Sequence, residues 1–305
     1  MDSYNSFQKN FSLITTGVVV SIGIPGNIIV LFVFTREHFR KIPMFRYFTA
    51  STLFETVNIL LYWPLVSQSI NENSIFCKSV QFFSYSICLN ISWIGMLIAL
   101  DRYLSIKYPL KFKIRYELKF QILIIIGIFV LSVILNIPFV YYYDIISKNS
   151  TSCDIVDDKV NLYLNIFDFI TSTLMPFLIM LISTSLIGYY LIKNKMKYKE
   201  KKLEKEKQLI KVLFSMDIFF FFCYCPYSVY AIISAFDLLE TSTSISDSVM
   251  STFYYVANFI LTIYCSFGFF MHLICNIQFR KYFFAMISLK KDKNRMQSSH
   301  ETTNL

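Results

Sequence analysis

Seven apolar runs, each long enough to cross a lipid bilayer, constrain this chain more than anything else in it. They cover roughly residues 11–35, 44–68, 77–106, 118–142, 161–192, 208–236 and 249–275. A helix needs about 20 mostly apolar residues to cross about 30 Å of hydrocarbon. The sequence therefore predicts an all-α, seven-transmembrane helix bundle. Composition agrees: of 305 residues, 55% are hydrophobic and 16% charged, against about 25% charged in soluble domains. Phe and Tyr number 32 and 21, Gly and Pro only seven each, which favours helices over loops.

The charge pattern orients the bundle. Loops on one side carry Arg36, Arg40, Lys41 and Arg46, then Lys107 to Lys119, then the basic stretch Lys193–Lys211, then the tail after Arg280. The alternate loops are acidic or nearly neutral, with Glu72, Asp144, Asp154, Asp157, Asp158, Asp237, Glu240 and Asp247. Basic loops stay on the cytoplasmic side, so the N-terminus is expected outside and the C-terminus inside. The expected organisation is an extracellular segment 1–10, a membrane domain 11–285 and a cytoplasmic tail 286–305, in a multi-pass protein of the plasma membrane. No cleavable leader is expected, because the first apolar run is longer than the apolar core of a signal peptide. Asn149-Ser150-Thr151 falls in an outside loop as a glycan acceptor at Asn149. Asn10-Phe11-Ser12 is close to the membrane, and Asn90-Ile91-Ser92 lies inside the third run and reads as a chance match.

The net charge of +9 sits in short segments between apolar runs, not on a folded basic face, which excludes nucleic acid as a partner. Seven cysteines without paired CxxC motifs offer neither a metal site nor a disulfide scaffold, and no cofactor is expected. Three histidines, scattered at His38, His272 and His300, form no catalytic cluster, so no enzyme is expected.

The third run opens at Cys77 and closes in Asp101-Arg102-Tyr103, with 25 residues from Cys77 to Arg102 and Pro109 seven residues further. Gly26-Asn27 stands in the first run, Pro138 near the end of the fourth, and Pro176 in the fifth. Phe220 and Cys223-Tyr224-Cys225-Pro226-Tyr227 mark the sixth. Together these resemble the rhodopsin-like (class A) G-protein-coupled receptors over about residues 11–285. Phe279 to Phe283 resembles the short amphipathic helix that follows the last span. The chain departs from the family in several places. Glu55 stands for an Asp, Thr184 for a Tyr, Tyr224 for the toggle Trp, and the fourth run lacks a Trp. Gly268-Phe269-Phe270-Met271-His272 stands over the motif NPxxY.

The resemblance implies a set of roles. Cys77 and Cys153 would be bridged; the alternative is two free thiols. Arg102 would be held by Asp101 and by Glu206, which lies 20 residues before Pro226, with Tyr103 completing the triplet. The alternative is that Glu206 is one of the acids solvating a Lys-rich helix. Pro226 would be the hinge by which the inner half of the sixth span swings outward for a heterotrimeric G protein. Glu55 would meet Asn27 through water, while Gly268 removes one expected ligand of a sodium pocket. His272 reads as a packing residue. Arrestin, a PDZ protein reading Thr303-Asn304-Leu305, and membrane lipid at the basic helix ends are further partners of the same reading. Cys275 is a palmitoylation candidate or a plain membrane cysteine.

On the ligand side, Asp168 lies eight residues before Pro176, about two helical turns outward. An acid inside a membrane helix needs a partner. Tyr224, Tyr227 and Tyr230 share a face of the sixth span, and Ser84, Tyr85 and Cys88 offer the facing stripe of the third. Packing alone would also account for an aromatic stripe. Ser84 excludes an aminergic receptor, which needs an Asp there, and Thr262 excludes an opsin, which needs a Lys. The expected ligand is an extracellular neuropeptide with a basic or amidated group. The alternatives are a chemosensory receptor for a small molecule and, further off, a transporter.

Overall fold

A computed structural model describes residues 2–40, 42–66, 73–108, 118–147, 151–193, 200–239 and 247–287. We number its long helices as spans one to seven: Asp2–Phe34, Pro43–Val66, Ser74–Lys107, Leu118–Leu135, Asp158–Lys193, Glu200–Leu239 and Asp247–Ser266. The fourth breaks at Asn136 and resumes as Ile137–Tyr142, with a proline in its first turn. The seventh breaks at Phe267 and resumes as Gly268–Cys275. A last helix, 277–287, follows Asn276, whose side chain accepts the N–H of Phe279 at 3.1 Å.

Six of the seven are long and apolar enough to cross a membrane. Span two has the length, at 24 residues, but carries Arg46, Glu55 and Asn58. It gives these polar groups to its neighbours: Arg46 Nη1 donates to Gln121 of span four at 2.7 Å, and Asn58 Nδ2 to Cys265 of span seven at 3.3 Å. Polar groups in hydrocarbon are satisfied between helices, so a less apolar span is stable once packed.

The helix of span one begins at Asp2 and runs through residues 2–10; no Gly or Pro interrupts the chain before Gly17. The helical bundle expected from the sequence carries one short β addition. Strands β1, Tyr143–Ser147, and β2, Thr151–Ile155, form an antiparallel hairpin between spans four and five. Five-residue strands are too short for alternation to announce them. The hairpin is anchored to span three by the Cys77–Cys153 disulfide. Asp144 adds a second anchor, accepting from Ser74 Oγ at 2.6 Å and pairing with Lys78 at 3.1 Å. Hydrogen bonds from Ser74 and from the Ile145 N–H, with Lys78 beside them, hold the Asp144 carboxyl down at about 2. A depressed carboxylate favours the folded state above its unfolded pKa of about 4, and loses that contribution as pH falls toward 2.

Span five contains a π turn, Phe169–Leu174, just before Pro176. There the Met175 N–H bonds to the Ile170 carbonyl, five residues back. The next bond in that register would come from Pro176, which has no N–H. The Thr171 carbonyl is thereby left for Trp93 of span three, whose indole N–H reaches it at 2.9 Å.

At the end of the bundle opposite the hairpin, His272 packs edge-on against Phe34 and Phe48, with ring centroids 4.9 Å apart in each pair. Near mid-bundle, Gly23 lets spans one, two and seven meet: a Cβ there would lie 2.7 Å from both Ile59 Cδ1 and Ser266 Oγ. Ile59 and Ser266 are themselves fully buried. Gly23→Ala is therefore expected to destabilise the bundle by about 1–3 kcal/mol. Thermal unfolding in detergent checks it, using a thiol-reactive dye on the buried Cys223 and Cys265. An unchanged melting temperature would show that Ile59 yields freely.

Candidate functional site

Beneath the hairpin a cavity of about 650 Å³ opens among spans three, five, six and seven. All seven residues expected at the ligand side line it: Ser84, Tyr85 and Cys88 from span three, Asp168 from span five, and Tyr224, Tyr227 and Tyr230 from span six. The helical period brings them there. Residues three or four apart share a face, and the π turn lies between Asp168 and Pro176. Asp168 accepts from Ser172 Oγ at 2.6 Å. No described Lys, Arg or His lines the cavity, and no ion pair to Asp168 is formed among the described residues.

Tyrosine hydroxyls organise the walls. Tyr85 stacks on Phe139 with ring centroids 4.1 Å apart, and its hydroxyl lies 3.2 Å from that of Tyr143 and 3.3 Å from that of Tyr227. Tyr224 stacks on Phe220 at 4.3 Å and is 3% exposed; its hydroxyl has no partner among the described residues. Tyr143, Tyr254 and Tyr255 also line the cavity, as do Asn161, Asn165 and Asn258. These were missed, since one sequence does not reveal how each helix is rotated. Asp154 was visible only as a loop acid; β2 brings it to the cavity wall.

Deeper in the bundle, Asn27 and Glu55 keep separate partners. Asn27 Nδ2 donates to Thr56 Oγ1 and to the Cys265 carbonyl, both at 3.2 Å, while Glu55 accepts from Ser51 Oγ at 2.8 Å. Gly268 gives the acid its room, since a Cβ there would lie 3.4 Å from Glu55 Oε2. A small cavity of about 20 Å³ adjoins Glu55, Gly268 and His272, space for about one water. Among the described residues there is no group of three His, Cys, Asp or Glu that would hold a metal.

At the end opposite the hairpin, Asp101 and Arg102 lie 3.9 Å apart, and Lys107 donates to the Tyr103 hydroxyl at 2.8 Å. The expected ion pair between Arg102 and Glu206 is not formed, among the described residues, and Arg102 Nε is buried without a partner. A different tie joins the fifth and sixth spans there. Thr184 Oγ1 donates at 2.8 Å to Asp217 Oδ2, a carboxylate only 3% exposed. Sequence reading passed over Asp217, which stands alone in an apolar run. Pro226 lies within the span-six helix. Asn149 and Pro109 fall outside the described residues.

A family model described as "7 transmembrane receptor (rhodopsin family)" matches residues 26–268. The chain belongs to the rhodopsin family of seven-transmembrane receptors. The receptor is 26% identical over 269 residues to the type-1 angiotensin II receptor A of Xenopus laevis, covering 79% of this chain and 66% of that protein. It is 27% identical over 180 residues to G-protein coupled receptor 65 of Homo sapiens, covering 56% and 52%. It is 25% identical over 236 residues to the neuromedin-K receptor of Mus musculus, covering 72% and 51%. The receptor thus spans about half to two thirds of the length of these relatives. Its family is one of receptors, not of enzymes or transporters.

Proposed function

We propose that the receptor lies in the plasma membrane with its N-terminus outside and binds a cationic extracellular ligand in the hairpin-side cavity. A basic or amidated peptide is favoured. In the ligand-bound state it catalyses nucleotide exchange on a heterotrimeric G protein. The observation that carries this reading is Asp168, half-buried in a cavity that no described cation lines. A carboxylate so placed attracts positive charge, and tyrosine faces add cation–π attraction. Relatives named for angiotensin II and neuromedin-K, and one named as G-protein coupled, support the same reading. Residues 11–285 form the receptor domain and 286–305 a cytoplasmic tail, where arrestin and a PDZ protein would act, while membrane lipid would meet the basic helix ends within 193–211. Asp101, Arg102 and Tyr103 face the G protein, and Pro226 is the hinge.

A small-molecule ligand is the second reading, favoured by the cavity volume of about 650 Å³, which suits a drug-sized molecule. Nucleotide exchange on a panel of G proteins, with amidated basic peptides and with small amines, separates the two. Asp168→Asn is expected to weaken the active ligand by about 10- to 1000-fold, the loss for an unpaired buried charge. Arg102→Ala is expected to abolish exchange while leaving ligand binding intact. Full potency in Asp168→Asn would remove that residue from the site.

A further inference from the structure

The cavity wall holds a second acid with an environment of its own. Asp154 stands directly opposite Asp144 in the hairpin register, and like charges facing each other across strands repel. Asp144 is paired with Lys78 and accepts a hydrogen bond from Ser74. Asp154 accepts only the Ile155 N–H, at 2.8 Å, and makes no ion pair among the described residues. It is exposed and lines the cavity.

Both acids line the one cavity, together with the tyrosines of the hydroxyl chain Tyr143–Tyr85–Tyr227, whose links are 3.2 and 3.3 Å. They reach it from separate elements, Asp168 from span five and Asp154 from β2. Tyr224, buried on the same wall with an unpartnered hydroxyl, offers a polar contact beside them.

We infer that the cavity is built for a ligand carrying two positive charges, one bound at Asp168 and the other at Asp154. This rests on the cation-binding reading of the cavity and deepens it. A single cation would leave one carboxylate facing Asp144 or the tyrosines without a counter-charge. A dication neutralises both and lays its spacer along aromatic surface. A small diamine and a peptide with two basic groups both carry the required chemistry, the paired cation.

The test uses the full chain in lipid nanodiscs and the thermal shift produced by defined probes. These are straight-chain diamines of increasing length, the monoamine of each length, and amidated peptides carrying one or two arginines. At the best length, the diamine or the two-arginine peptide is expected to bind about tenfold or more tighter than its singly charged match. Asp154→Asn is expected to erase that advantage and to leave the singly charged probe unchanged. A gain confined to peptides identifies the occupant as peptide; a gain for diamines as well shows that a small dication suffices. Equal affinity for one and two charges, or an advantage that survives Asp154→Asn, overturns the inference. If Asp168→Asn still abolishes binding in that case, the cation-binding reading stands without it. Absence of a shift from every probe overturns both.

Discussion

Replacing Cys77 and Cys153 together by serine is expected to lower the melting temperature in detergent by about 8 °C or more. The disulfide joins residues 76 apart in sequence, and releasing a loop of that size returns about 4 kcal/mol of conformational freedom to the unfolded chain. Each kcal/mol moves the melting point of a chain this large by about 2–4 °C. The local effect is larger than the global one. Cys153 lies beside Asp154 on β2 and opposite Ile145 on β1, so the bond positions both the hairpin and the acid on the cavity wall. Without it the hairpin keeps the Asp144 contacts to Lys78 and Ser74 and the Tyr143–Tyr85 hydroxyl contact. Binding of doubly charged probes is expected to fall toward that of singly charged ones. Unchanged melting and unchanged binding in the double variant would mean that hairpin packing alone sets the geometry.

Thr184→Val is expected to destabilise the fold by about 1–3 kcal/mol, because it strips a buried carboxyl of its hydrogen bond. The Thr184–Asp217 contact joins span five to span six at 2.8 Å, nine residues before Pro226. Exchanging both partners for apolar residues removes the unsatisfied group along with its partner, and such pairs of changes are often nearly neutral. The double variant Thr184→Val with Asp217→Leu should therefore recover most of the lost stability. Urea or thermal unfolding of the two variants checks this. If the double variant is as unstable as the single one, the contact is not what Thr184 supplies. The same tie must part if the sixth span swings about Pro226. Thr184→Val is then expected to raise nucleotide exchange in the absence of ligand as well.

The seven spans were legible because crossing hydrocarbon imposes a length and an apolar composition that any single stretch must show by itself. The π turn just before Pro176 has the same kind of local origin, since a missing N–H is a property of one residue. Which helix face looks inward was partly legible: Tyr224, Tyr227 and Tyr230 share a period, and the structure turns all three to the same cavity. Partners were legible only in part. The Cys77–Cys153 bridge and the Asp101–Arg102 contact were expected, whereas Arg102 makes no ion pair with Glu206 among the described residues and Asp217 takes a threonine from another span. Each residue along a helix turns the side chain by about 100°, so a contact between helices depends on rotation and depth. Those are fixed by packing of whole surfaces, such as the aromatic cluster around His272 and the close approach at Gly23. The sequence by itself determined a seven-span bundle and the chemistry available on each face. Only the tertiary structure decided that two acids, from span five and from a hairpin with no sequence signal, face one cavity, because only the fold sets distances between segments far apart in the chain.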